Sequence, residues 1–197
     1  MVNRIWYHHF GSGLVPTLEN FGAKGERPSH PELLDWLAVT FIERDWSIKE
    51  LHRVIMNSRS YRQSSRITDE RQKLDPQNRL LSRMTLRRMD AEALRDSILY
   101  VAGQLNEKNR GGKPDGIKSH KDGLVSIPRG ANGWRRSIYV QQRRTEMPTF
   151  LTTFDLPRME PNCIERPQST VAPQALHLLN DATVHDIAGH FAARVLM

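Results

Sequence analysis

A single cysteine, Cys163, stands in the whole chain. A lone thiol excludes an internal disulfide and a cysteine-rich zinc site. No C-x-x-C-H occurs, so this chain attaches no c-type haem itself and is read as carrying no cofactor and no metal. Long apolar runs are missing too: none approaches the roughly 20 residues that a membrane-spanning helix needs. Met1 leads into Asn3 and Arg4 with no apolar signal-peptide core. There is no internal repeat and no low-complexity tract. Lysine is scarce: of 29 basic residues, seven are Lys and 22 are Arg. Arg grips carboxylate, sulfate and phosphate through paired N–H donors, which Lys cannot do. With a net charge of +7, this composition suits an anionic partner, or else an ion-paired helical surface. Nucleic acid is disfavoured, because the Arg residues are scattered and no zinc-finger or aromatic–basic sheet signature accompanies them.

What is present reads as globular: 38% hydrophobic and 26% charged residues, enough in 197 residues for one sizeable core or two small lobes. The expected fold is mainly α, an irregular helical domain with long ordered loops and at most a short β element. Val2, Ile5, Trp6 and His9 share one helical face, and Gly11 stops that helix. Ser12 to Arg27 reads as a shaped, glycine-bearing loop. Ser29 and Glu32 have the spacing of a capping box, with Pro31 in the first turn. Ser47 and Glu50 form a second capping box. The periodicity predicts main helices over Pro31–Glu43, Ile48–Asn57, Ala91–Gln104, Pro173–Leu179 and Ala182–Leu196. A short helix is expected after Asp75–Pro76, running through Leu80 and Leu81, and another after Pro148. Ser137 to Val140 is the best strand candidate. The Gly-rich stretch 107–133 would join possible lobes 1–106 and 134–197. The expected core is Trp6, Leu34, Leu37, Phe41, Leu51, Ile55, Leu94, Ile98, Phe191 and Val195.

Several residue groups invite chemistry, and each has a plainer reading. His8 and His9 point about 100° apart on a helix and cannot chelate one ion together. His185 and His190 are five apart and miss the one-face spacing of a zinc helix. Asp181–His185 and Asp186–His190 do share faces, as ordinary i,i+4 pairs. Cys163 lies beside Arg166, which would favour a thiolate, but no positioned base accompanies it. Asp155, Glu160 and Glu165 are carboxylates in one irregular segment, interleaved with Arg158 and Arg166. Asp155 and Glu160 are the weak catalytic candidates, as an acid–base pair for a glycosidic bond. The plainer reading is a loop held by its own ion pairs. Arg136, with Arg135, Arg143 and Arg144, offers an anion-binding wall. The expected ligand-binding cluster is Arg136, Arg158, Arg166, Asn180 and Asp181, with Arg158 or Arg166 in ion-pair reach of Asp155 or Asp181.

The motifs N-R-I-W-x-H-H-F-G-x-G-L-V from Asn3, N-F-G-x-x-G from Asn20 and P-S-H-P-E-L-L-D-W-L-A from Pro28 open the chain. Phe154-Asp155-x-Pro157-Arg158, Cys163, Arg166, Pro173-Gln174-Ala175-Leu176 and Leu179-Asn180-Asp181 follow. Together they resemble the planctomycete-specific domain of unknown function. The resemblance implies the C-terminal part of a large exported, periplasmic bacterial protein, whose upstream part often carries a haem c domain. The partners it implies are the other domains of that protein. It transfers no catalytic residue.

Two readings from different classes follow. One is a helical module that docks a partner domain or binds an anionic ligand. The other is an enzyme acting on acidic or sulfated glycans, redox-linked through a haem c domain elsewhere in the parent chain.

Overall fold

The computed structural model describes every residue except 109–116, 131–132, 158–165, 167 and 197. Arg158, Glu160, Cys163 and Glu165 therefore lie outside the described residues. The fold is mainly α: eight helices and one two-stranded hairpin among the described residues. The chain divides into two compact units, Met1–Arg87 and Arg88–Met197. The division falls just ahead of the helix that opens at Ala91, and the Gly-rich stretch 107–133 falls within the second unit.

The first unit holds α1 (Val2–Phe10), α2 (Pro31–Glu43), α3 (Ile48–Asn57) and α4 (Asp69–Leu74). Apolar residues from the first three meet in one core of Val2, Ile5, Trp6, Phe10, Leu37, Phe41, Leu51 and Ile55. Gly11 ends α1 with φ 83°, a left-handed conformation that costs glycine little, and its N–H bonds Tyr7 O. The loop that follows is fastened by Asn3. Its buried amide donates to Val15 O and accepts from Val15 N, both at 2.9 Å. Gly13 allows that approach: a Cβ there would sit 2.4 Å from Val15 O.

Ser29 does not cap α2 as its spacing suggests. Its N–H and hydroxyl both go to Leu14 O, closing the loop, and His30 takes the N-cap position. Ser47 does cap α3, accepting from Glu50 N. No helix follows Pro76. Buried Asp75 instead accepts from Arg79 N and Leu80 N, each at 2.8 Å, which makes a tight turn and leaves Leu80 exposed. The short helix here is α4, capped by Thr68.

The second unit holds α5 (Ala91–Val101), β1 (Lys118–Ser119), β2 (Val125–Ser126), a 3-10 turn at Ser137–Tyr139, α6 (Thr149–Thr153), α7 (Ala172–Asn180) and α8 (Ala182–Val195). The strands pair antiparallel within the Gly-rich stretch, turning through Gly123 at φ 84°. The expected strand at Ser137 is the 3-10 turn instead, because Ser137 N and its hydroxyl both donate to Asp96 Oδ1.

The buried line of α5 is Ala91, Arg95 and Leu99, one residue on from the expected Leu94–Ile98 stripe, which is only partly buried. Arg95 is 8% exposed, and its guanidinium donates to Gly133 O, Arg135 O and Ser137 Oγ at 2.5, 3.0 and 3.1 Å. On α8 only Ile187 is buried. Phe191 and Val195, expected in the core, are 46% and 67% exposed. α8 is also held at its far end, where Arg194 donates to Val101 O and Tyr100 O and satisfies the last carbonyls of α5.

Candidate functional site

Asp155 sits at φ 63°, a left-handed position that Asp tolerates better than most residues. That turn aims its carboxylate at Ser169, whose N–H and hydroxyl both donate to it, at 2.6 Å and 2.8 Å. Gln174, 2% exposed, donates to Asp155 Oδ2 and accepts from Arg88 at 2.6 Å. Arg88 also bonds Ser169 O and the Thr170 hydroxyl. Arg166 pairs with Glu92 through two N–H donors, at 2.8 and 3.1 Å. Burial pushes the Glu92 carboxyl up, but the Arg166 bonds, its own backbone N–H and the guanidinium charge outweigh that and hold it below the ordinary 4.5. The concavity among Arg88, Asp155, Arg166 and Gln174 measures about 10 Å³, room for about one water. Asp155 is thus occupied by Ser169 and Gln174, which leaves it poorly placed for acid–base work.

The other expected site residues lie elsewhere in the unit. Arg136 is exposed, with its Nε 3.8 Å from Asp96, beside the Arg95 anchor rather than lining the Asp155 knot. Asp181 caps α8, accepting from Thr183 N and Val184 N at 2.8 and 2.9 Å. Its helical pair is not His185, which bonds Leu179 O, but His177, at 3.7 Å. Asp186 pairs with Arg129 at 3.6 Å, while the His190 ring meets Trp134 edge-on.

Asn180 and Asp181 do line a concavity, a groove of about 700 Å³ bordered by Lys118, His120 and Arg129. At Leu124, Ile127, His177 and Thr183 the groove adjoins a narrower crevice of about 50 Å³ between α5, α6 and α8. The crevice is walled by Ile98, Leu99, Val125, Phe150, Val184 and Ile187. Polar side chains also line it, among them Arg95, Ser126, Thr149, Asp181 and Thr183, together with Trp134 and His177. Among the described residues, buried Trp134 Nε1 and His177 Nε2 have no hydrogen-bond partner. A buried donor or acceptor left without a partner costs roughly 1–3 kcal/mol. Neither Trp134 nor His177 stands out by spacing. The one available hint is that an indole pairs an apolar body with an N–H that needs a partner.

In the first unit His9 Nε2 lies 2.7 Å from His52 Nδ1, with the Tyr61 ring edge-on to His9. Burial, then the charges of His52, His8 and Arg87, hold the His9 imidazole below its ordinary 6.5. Only one of the two facing nitrogens can carry the proton between them. No group of three or more metal-ligating side chains occurs among the described residues. No helix among them is long and apolar enough to cross a membrane.

The two units together carry every motif noted at the head and tail of the chain. The whole chain, residues 1–197, matches the family described as Protein of unknown function (DUF1553). The chain belongs to that family. No curated protein and no solved structure matches it.

Proposed function

We propose that the chain is a docking module of a larger exported protein, whose partner is another domain of that same protein. The outward face of α2 carries the reading. Trp36, Val39 and Ile42 all stand on it, with Trp36 53% exposed. Trp46, just past the helix end, is 64% exposed. A helix apolar on both faces is the mark of one covered on both. Exposed tryptophans of this kind are the usual anchors of a protein interface. Glu32, Asp35 and Glu43 flank the apolar residues, and α2 carries no Lys or Arg. The complementary surface is therefore apolar at its centre and basic at its rim.

The resemblance of the motifs to planctomycete-type exported proteins supports the choice of partner, a domain upstream in the same protein, with haem c a candidate component of it. The self-paired Asp155 knot supports a docking role over catalysis on acidic glycans. The test uses the rest of the parent protein, expressed separately and titrated with this chain in a calorimeter. Trp36→Ser should weaken binding by at least about 2 kcal/mol, the scale of an interface hot spot. As a surface change it should leave the melting temperature of the chain nearly unaltered. Unchanged affinity in a Trp36→Ser, Ile42→Ser double variant would sink the reading.

A further inference from the structure

We infer that the crevice between α5, α6 and α8 is a binding site for an acetamido group, the N-acetyl substituent of a saccharide whose ring lies in the adjoining groove. The inference is independent of the docking reading, which concerns the other unit.

The argument starts from size. About 50 Å³ takes a few heavy atoms and is too tight for an aromatic ring. The walls are mostly apolar, which suits a methyl at the end of the entering group, and Asp181 among the lining residues disfavours a carboxylate. Two buried polar atoms without a hydrogen-bond partner border the same space. Trp134, 8% exposed, brings an indole N–H that can only donate. His177 brings Nε2, which lies 3.7 Å from Asp181 Oδ2, outside hydrogen-bond reach, and accepts from a ligand when the neutral ring carries its proton on Nδ1. An acetamido group matches this set: a methyl for the apolar wall, a carbonyl oxygen to accept from Trp134 and an N–H to donate to His177. A plain hydrocarbon would leave both polar atoms unpaired, and a carboxylate offers His177 no donor.

The groove decides between two sources of that group. An acetylated lysine would bring an extended aliphatic stem. The groove instead presents Asn180 and Thr183, with Ser126 and His120 bonded to each other at 2.9 Å, hydrogen-bonding groups suited to the hydroxyls of a sugar ring. Lys118 and Arg129 on its border suit an acidic sugar next in the chain, although Arg129 also meets Asp186 at 3.6 Å.

The experiment follows the indole N–H resonances of the intact, 15N-labelled chain, with that of Trp134 assigned by its loss in Trp134→Phe. N-acetylglucosamine and a uronate-containing N-acetylated disaccharide, at millimolar concentration, should move the Trp134 signal and leave those of Trp36 and Trp46 in place. Glucose and glucosamine should not. Trp134→Phe should weaken disaccharide binding about tenfold, roughly one hydrogen bond's worth, read from the saccharide's own signals. Val184→Phe, which fills the crevice, should abolish binding while the fold persists, and guards against a Trp134→Phe protein that fails to fold. Lys118→Ala should weaken the uronate disaccharide and not N-acetylglucosamine. The inference is overturned if no acetamido compound moves the Trp134 signal, or if glucose moves it equally. An acetyllysine peptide that binds more tightly than both saccharides would overturn the assignment to a sugar.

Discussion

His9 and His52 show how one pair of side chains makes a unit sensitive to pH. Their ring nitrogens share a single proton at 2.7 Å, and His9 is held below its ordinary pKa by burial and by neighbouring positive charge. The folded chain therefore binds fewer protons at His9 than the unfolded chain does. Stability rises with pH wherever that holds. The contribution is fully present above the ordinary value of 6.5 and is lost as pH falls below it toward the lowered folded value. The expected outcome is a first-unit melting temperature that drops between about pH 7 and pH 5, the range in which histidine titrates. His9→Gln should flatten that drop; an equally steep profile in the variant would assign it to other groups. Arg95 makes the complementary case of a charge that must stay. Its three bonds hold Gly133, Arg135 and Ser137. Arg95→Met keeps the apolar stem but strands those acceptors. It should cost on the order of 3 kcal/mol, measured by urea unfolding. A loss within the few tenths expected of a surface change would show that the stem alone holds the turn.

At the scale of elements, the helices announced by local chemistry were the readable ones. Pro31 acts through its fixed backbone and Ser47 through its hydroxyl on Glu50 N, both local, so α2 and α3 begin and end where the spacing places them. Faces were harder, because they depend on what packs opposite. Along α5 the apolar period suggested Leu94 and Ile98, but the unit turned Arg95 inward, and an arginine in a core line carries no apolar signal. On α8 the period put Phe191 and Val195 with Ile187, but beyond Ile187 the contacts with α5 and Trp134 run through Arg194 and His190, and Phe191 and Val195 stay exposed among the described residues. The candidate site divided in the same way. Asn180 and Asp181 could be picked out at a helix junction, whereas Trp134 and His177 reach the crevice from distant segments that spacing does not relate. These differences make a direct test. Ile187→Ala should cost about 2–5 kcal/mol and Phe191→Ala less than about 1, compared by the shift in denaturation midpoint. Equal losses would mean that the outer half of α8 is covered in solution.

Across the whole molecule, each unit has its own apolar core. Val2, Trp6, Leu37, Phe41, Leu51 and Ile55 serve the first; Ala91, Leu151, Phe154 and Leu156, with a second cluster around Leu99, Trp134 and Ile187, serve the other. Two-state unfolding is the habit of a single cooperative core and fails where a chain has more than one. Tryptophan placement lets the two be followed separately. Trp6, Trp36 and Trp46 lie in the first unit and Trp134 in the second. In a chain keeping only Trp134, with the other three changed to Phe, fluorescence reports the second unit; far-ultraviolet circular dichroism reports both. Leu151→Ala in that background removes a fully buried side chain of the second core and should lower the fluorescence midpoint by the equivalent of about 2–5 kcal/mol. Leu37→Ala, equally buried in the first core, should leave the fluorescence midpoint in place and split the dichroism curve into two steps. If Leu37→Ala moves both signals together, the two cores unfold as one, and the boundary at Arg87 is a feature of contacts and not of energetics.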